Sequence, residues 1–308
     1  MQGVSMSSQL SAGADTVWGP LAQPITAPAD LPEGSPPWRD NAWLPFWDDE
    51  NGIYGTVHVS TSPNAGARQA RFSLQTPNGT IELIEPLDPG SFESKSIRLD
   101  LDTGFTISTP EVTAELRFMP QFARADFVGD ASPKAFGGYA ETGALKHYQQ
   151  AASVVGSVNL RGQESAVDGS GFRDRTWGFR DETIGMSEYF GFMWKFETFA
   201  LSVMRLYGSD GSDHATGFLL GDTATPVAGV SSFTRDGSGL FVEAEIELDS
   251  GDRLTVASVG RPAGQWVPMG PPRTGAVMSA YDEFHTFRTA SGESGGGIVE
   301  QGYVRRGV

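Results

Sequence analysis

The chain has 308 residues, with 38 acidic against 22 basic side chains and a formal net charge of −16. A field of that sign repels phosphate backbones and argues against nucleic acid as a partner. Cysteine is absent, which excludes thiol nucleophiles, cysteine zinc sites and disulfides and suits a reducing, cytoplasmic compartment.

The first residues, "MQGVSMSSQLSAGADTVWGPLAQP", lack the basic and apolar regions of a secretory signal. No segment approaches the roughly 20 uninterrupted apolar residues of a membrane helix. Residues 1–37 are rich in Ser, Ala, Pro and Gly and read as an extended arm, with Trp18 and Trp38 as anchors on the body. Strand-like runs follow: "GIYGTVHVS", "QARFSLQ", "TIELIEP", "SIRLDLD" and "VTAELRFMP". In the last, Val112, Ala114, Leu116 and Phe118 share one face, with Thr113, Glu115 and Arg117 on the other. A looser stretch ends in "ETGALKHYQQAAS", which suits a short helix or turn and sets a boundary near residue 150. The rhythm then resumes through "SVVGSVNL", "SEYFGFMWKFE", "FALSVMRLY", "LFVEAEIEL", "RLTVASVG", "EFHTFRT" and "GIVEQGYVRR". With 39 glycines and 19 prolines, and no apolar stripe of helical period beyond a few turns, the fold class is all-β. It divides into an arm (1–37), an N-terminal antiparallel barrel (38–150) and a C-terminal one (151–308), each closed to hide its edges.

Phosphate-binding loops, a nucleophile elbow and the metalloprotease motif are missing. The four histidines, His58, His147, His214 and His285, show no paired ligand spacing, so neither metal nor cofactor is expected. Chemistry concentrates instead in "GSGFRDRTWGFRD", residues 169–181. If residues 172–177 are extended, Asp174 and Thr176 face one way and Arg173, Arg175 and Trp177 the other. Gly178 permits a bend that re-aims Arg180 and Asp181. Two readings stand side by side. Guanidinium forks bind carboxylates and fix strand ends; alternatively, Asp174 or Asp181 faces an apolar cavity that keeps a usable proton on it.

Nearby, "KHYQQ" supplies His147 and Tyr148, and "SEYFGFMWKFE" places Glu188, Phe190, Phe192, Trp194 and Phe196 on one face. That row is either a strand packing its rings into a core or an acid at the mouth of an aromatic wall. "YDEFHTF" offers Tyr281, Glu283 and His285 with the same ambiguity.

Residues 145–181, with His147, Tyr148, Gly156, Gly171, Arg173, Asp174, Trp177, Gly178, Arg180 and Asp181 at the matching positions, resemble the lipocalin-like superfamily of carotenoid 1,2-hydratases and AttH-type proteins. Arg175 stands where that family often has histidine, and Gln149 where it often has glutamate. The resemblance implies two calycin-like barrels and a dry cavity for a small hydrophobic substrate such as an isoprenoid, polyene or aromatic compound. It also implies cofactor-independent alkene hydration, dehydration or cyclisation. On that basis Asp174 is the expected proton donor, with Asp181 as the alternative. His147 or Tyr148 would position water or recover the proton, and Arg173 and Arg180 would orient the carboxylates. Trp177 and the ring-bearing strand would face the substrate. A cyclase that works only by holding a folded conformer, and a carrier of an apolar metabolite, remain as alternative readings.

Overall fold

A computed structural model describes residues 21, 23–25, 29, 33–34, 38–62, 67–127, 146–179, 186–269 and 276–306. Among them every regular element is a strand, as expected. Ten strands form the first sheet: β1 (Trp38–Asp48), β2 (Ile53–Ser62), β3 (Ala67–Thr76), β4 (Gly79–Pro86), β5 (Ile97–Asp100), β6 (Gly104–Ser108), β7 (Val112–Pro120), β8 (Ala125–Asp126), β9 (Lys146–Leu160) and β10 (Gln163–Phe179). Their order is β4-β3-β2-β1-β10-β9-β7-β6-β5, with β8 beside β9. Eight more close a barrel in sequence order: β11 (Met186–Phe196), β12 (Ala200–Gly208), β13 (Asp213–Leu220), β14 (Ala224–Arg235), β15 (Phe241–Leu248), β16 (Arg253–Met269), β17 (Ala276–Thr289) and β18 (Ser294–Arg306). The architecture is that of two lipocalin-like barrels, the first left open.

The boundary expected near residue 150 is corrected by this topology. The long strands β9 and β10 sit at the middle of the first sheet, so the hand-over to the barrel falls between Phe179 and Met186. The helix or turn expected over residues 141–153 is corrected in part: from Lys146 onward the chain is β9, because Tyr148, Gln150 and Ala152 alternate with His147, Gln149 and Ala151 on a sheet buried on both faces. Trp18, Arg180 and Asp181 lie outside the described residues.

Alternation holds the first sheet together. On β7, Val112, Ala114, Leu116 and Phe118 are buried while Thr113, Glu115 and Arg117 are exposed, as the sequence pattern requires. The sheet curls round its own core: Phe105 on β6, near one end of the strand order, packs 5.9 Å from Phe72 on β3, near the other. Gly156 allows β7 to press onto β9, since a Cβ there would lie 2.0 Å from the Glu115 carbonyl oxygen and φ is +150°. In the barrel, Phe190, Phe192 and Trp194 point inward and are fully buried, with Trp194 4.8 Å from both Phe192 and Phe287.

A third apolar cluster joins the two bodies. Trp47, Tyr54, Phe127, Ala151 and Phe172 from the first sheet pack with Met193, Met204, Phe218, Phe284 and Ile298 from the barrel. These residues come from the faces opposite each core, so both sheets are apolar on two sides where they meet.

Candidate functional site

A cavity is set into that junction. Cross-strand register builds each wall. On the first sheet, Gln149, Asp174, Trp43, His58 and Arg71 are successive partners across β9, β10, β1, β2 and β3, and all five line the cavity. On the barrel, Gln265, Asp282, Glu300, Gly191 and Met204 are successive partners across β16, β17, β18, β11 and β12, and all five line it too. One row from each sheet thus faces the other, because residues paired across antiparallel strands point to the same side.

Asp174, second in the first row, is buried. Its Oδ2 lies 2.8 Å from His147 Nε2 and accepts from Gln149 Nε2 at 2.5 Å. Both contacts end on one oxygen, which leaves Oδ1 for an occupant of the cavity. The Gln149 amide is oriented from the barrel side, where Ser202 Oγ donates to its Oε1. The His147 ring stacks on Phe127 at 4.9 Å, and Phe127 meets Phe218 of the barrel edge-on at 5.2 Å. Packing therefore fixes the imidazole, and a hydrogen-bonded chain fixes the carboxyl. The pair can hold a proton and move it along the Asp174–His147 axis.

The expected division of residues 172–177 between two faces is what the structure has. Arg175 points away from the cavity and grips Asp40 with two bonds, Nε to Oδ1 at 3.0 Å and Nη2 to Oδ2 at 2.7 Å, both side chains fully buried. Burial pushes the Asp40 carboxyl up, and Arg175 opposes that shift. Arg173 donates to the Leu101 carbonyl oxygen at 2.8 Å and to Gln150 Oε1 at 2.6 Å. Among the described residues no guanidinium pairs with Asp174.

Several expected site residues lie elsewhere. Tyr148 and Trp177 form a buried cluster on the Arg175 side, packed by Leu21 and Ile25 of the arm and by Trp38 of β1, because they share the parity of Arg175 on their strands. Arg173 lies on that side too, away from any substrate in the cavity. Glu188 pairs with Arg235, whose guanidinium lies 4.5 Å from the Phe190 ring. Phe190, Phe192 and Trp194 are the barrel's core and do not line the cavity; their neighbours Tyr189, Gly191 and Met193 do. The same holds on β17, where Glu283 and His285 face the barrel interior and Asp282 faces the cavity. Glu283 accepts there from Gln301 at 2.9 Å, and His285 Nδ1 lies 2.8 Å from Ser258 Oγ. In a closed barrel the ring-bearing face turns inward, so the small and polar residues between the rings were the signal for the cavity wall.

Asp282 is held well above the ordinary carboxyl range by burial first and by the charge of facing Glu300 second, with Arg71 opposing. The folded chain therefore keeps a proton that the unfolded chain releases above its usual value of 3.8. Stability from this group is fully present below that value and is lost as pH climbs through the raised folded pKa. Asp282→Asn is expected to match wild type at acid pH and to gain on it steadily toward neutrality, as read from urea unfolding across the pH series.

A family model described as "Domain of unknown function (DUF7064)" matches residues 26–303. No curated protein matches the sequence. Among solved structures, an AttH-type protein (NE1406) from Nitrosomonas europaea is similar with a TM-score of 0.64 at 15% identity, over 92% of this chain and 99% of that one. Kievitone hydratase from Nectria haematococca gives 0.58 at 14% identity, over 92% and 95%. CghA gives 0.58 at 13%, over 92% and 94%. The likeness is one of fold, and it bears out the resemblance read from residues 145–181.

Proposed function

Since the chain belongs to the family described as a domain of unknown function (DUF7064), we propose from its fold and cavity that it is an enzyme of hydratase, dehydratase or cyclase type. Its substrate is a small, largely apolar, unsaturated molecule bound between the two barrels. The observation that carries this reading is Asp174, buried at the cavity wall, tied through Oδ2 to His147 and Gln149 and separated from the nearby arginines. Kievitone hydratase, which shares the fold, is by name a hydratase, and the architecture suits the same class of step.

The chemistry uses this chain's own groups. Asp174 donates a proton to one carbon of a C=C bond, and the π electrons form the new C–H bond. The neighbouring carbon is left cationic, within reach of the Trp43 ring face, a contact worth about 0.5–2 kcal/mol. Water adds to that carbon through oxygen, and the proton it sheds returns to the Asp174–His147 pair. If an internal π bond attacks the cation first, a ring closes; loss of a proton instead gives the rearranged alkene. Trp43 takes the role that the sequence pattern offered to Trp177.

Turnover in heavy-oxygen water tests the reading. A bound molecule taken from the protein's source cells and incubated with wild type should gain one oxygen-18 for hydration, or isomerise without it for cyclisation. A molecule recovered unchanged in every incubation would mark a carrier and overturn the enzymatic proposal.

A further inference from the structure

Three buried polar atoms at this cavity have no hydrogen-bond partner: Nε and Nη1 of Arg71 and Oδ1 of Asp282. The two residues stand on opposite walls, Arg71 on β3 of the first sheet and Asp282 on β17 of the barrel, and both line the same cavity. Arg71 is 7% exposed and Asp282 2%, so solvent at the surface does not satisfy them. The remaining guanidinium nitrogen, Nη2, is committed to the Trp266 carbonyl oxygen at 2.7 Å and to Glu82. That grip fixes the plane of the fork and leaves its other two nitrogens open. Leaving a buried N–H or carboxyl oxygen unpaired forfeits its hydration with nothing in return, and two such residues lining one void are a built receptor for an oxygen.

We propose that Arg71 and Asp282 anchor an oxygen function of the substrate, an inference that rests on the cavity being the site of catalysis. Arg71 donates to that oxygen, and Asp282 takes or gives the second hydrogen bond. The group that satisfies both walls is one that both accepts and donates, a hydroxyl or a carboxyl. The substrate is therefore an oxygenated unsaturated compound and not a plain hydrocarbon, which narrows the isoprenoid, polyene or aromatic class expected from the sequence.

Register also sets its length. Arg71 and Asp174 are three strand steps apart along the row through His58 and Trp43, about 14 Å at the usual strand spacing. The oxygen docks at one end of the row and the reacting carbon lies toward the other, so the molecule is elongated. Gly191 keeps the opposite wall low between them, since a Cβ there would come within 3.3 Å of Glu300 Oε2.

The test compares 2-naphthol with 2-methylnaphthalene, probes of similar size that differ in the oxygen, by equilibrium dialysis against wild type, Arg71→Met and Asp282→Leu. Wild type should hold 2-naphthol at least ten-fold more tightly, and each variant should bring the two probes within about two-fold. Because Arg71 also ties Glu82 and Trp266, circular dichroism checks its variant for folding, and Asp282→Leu, which removes a buried acid, provides the arm that does not depend on it. Equal binding of both probes to wild type, or a preference that survives in Asp282→Leu, would overturn the anchor while leaving a ligand cavity. Binding of neither probe would overturn both the anchor and the cavity reading on which it rests.

Discussion

Arg175→Met is expected to destabilise the folded chain by about 3–5 kcal/mol, the usual effect of removing one partner from a buried ion pair. Both Arg175 and Asp40 are fully buried, so the variant leaves a carboxylate with no water to solvate it. More than the pair is lost. Arg175 Nη2 also donates to the Gln23 carbonyl oxygen at 3.0 Å, and Asp40 Oδ2 accepts from the Ile25 amide at 2.5 Å. The pair thus latches the described part of the arm across the end of the first sheet, where Leu101 N donates to Leu21 O at 3.2 Å. The guanidinium also lies 5.4 Å from the Phe92 ring and 5.3 Å from Trp177. Arg175→Met with Asp40→Leu should recover most of the loss, since replacing both partners with apolar groups removes the stranded charge. Urea unfolding of the single and double variants measures this. A single variant within 1 kcal/mol of wild type would show that the pair is not the clasp described. Ligand binding at the cavity should survive in whatever fraction stays folded, because Arg175 points to the other face.

Asp174→Asn should lower turnover by about 10²–10⁴-fold, the range for removing a positioned general acid or base, with a change in stability of no more than about 1 kcal/mol. The amide keeps the shape and one acceptor but cannot deliver a proton. His147→Gln should lower turnover less, because the carboxyl itself remains. A cyclase that works by holding one conformer predicts otherwise: Asp174→Asn would keep its rate, since proximity alone supplies the acceleration. Full activity in that variant would discard Asp174 as the proton donor and leave the cavity's shape as the catalyst.

Much of this was legible in the residues. The all-strand make-up of the described residues and the pairing of barrels followed from strand-length alternation and turn spacing, and β7 shows the expected pattern residue by residue. The division of residues 172–177 was legible as well, because side-chain direction on a strand follows parity alone. Parity does not say which face is the core. On β11 and β17 the large side chains drew the reading to Phe190, Trp194 and Glu283, whereas barrel closure turns that face inward and gives the cavity to Gly191, Met193 and Asp282. The boundary near residue 150 failed for a related reason. A β-strand that re-enters an earlier sheet leaves no local mark, and β9 and β10 pair with β7 and β1 across a long stretch of chain. Arg71, His58 and Trp43 were invisible as site residues because only the register of β1, β2 and β3 brings them into line with Asp174.

The most direct measurement is native mass spectrometry of wild type and Gly191→Phe, both exposed to a small-molecule extract of the source cells. A ring at position 191 would project into the cavity from the barrel wall beside Glu300. Wild type should retain a small unsaturated molecule, and the folded variant should emerge without it. The same molecule retained equally by both proteins would place binding outside the space between the barrels and contradict the assignment of Asp174 to a reaction there.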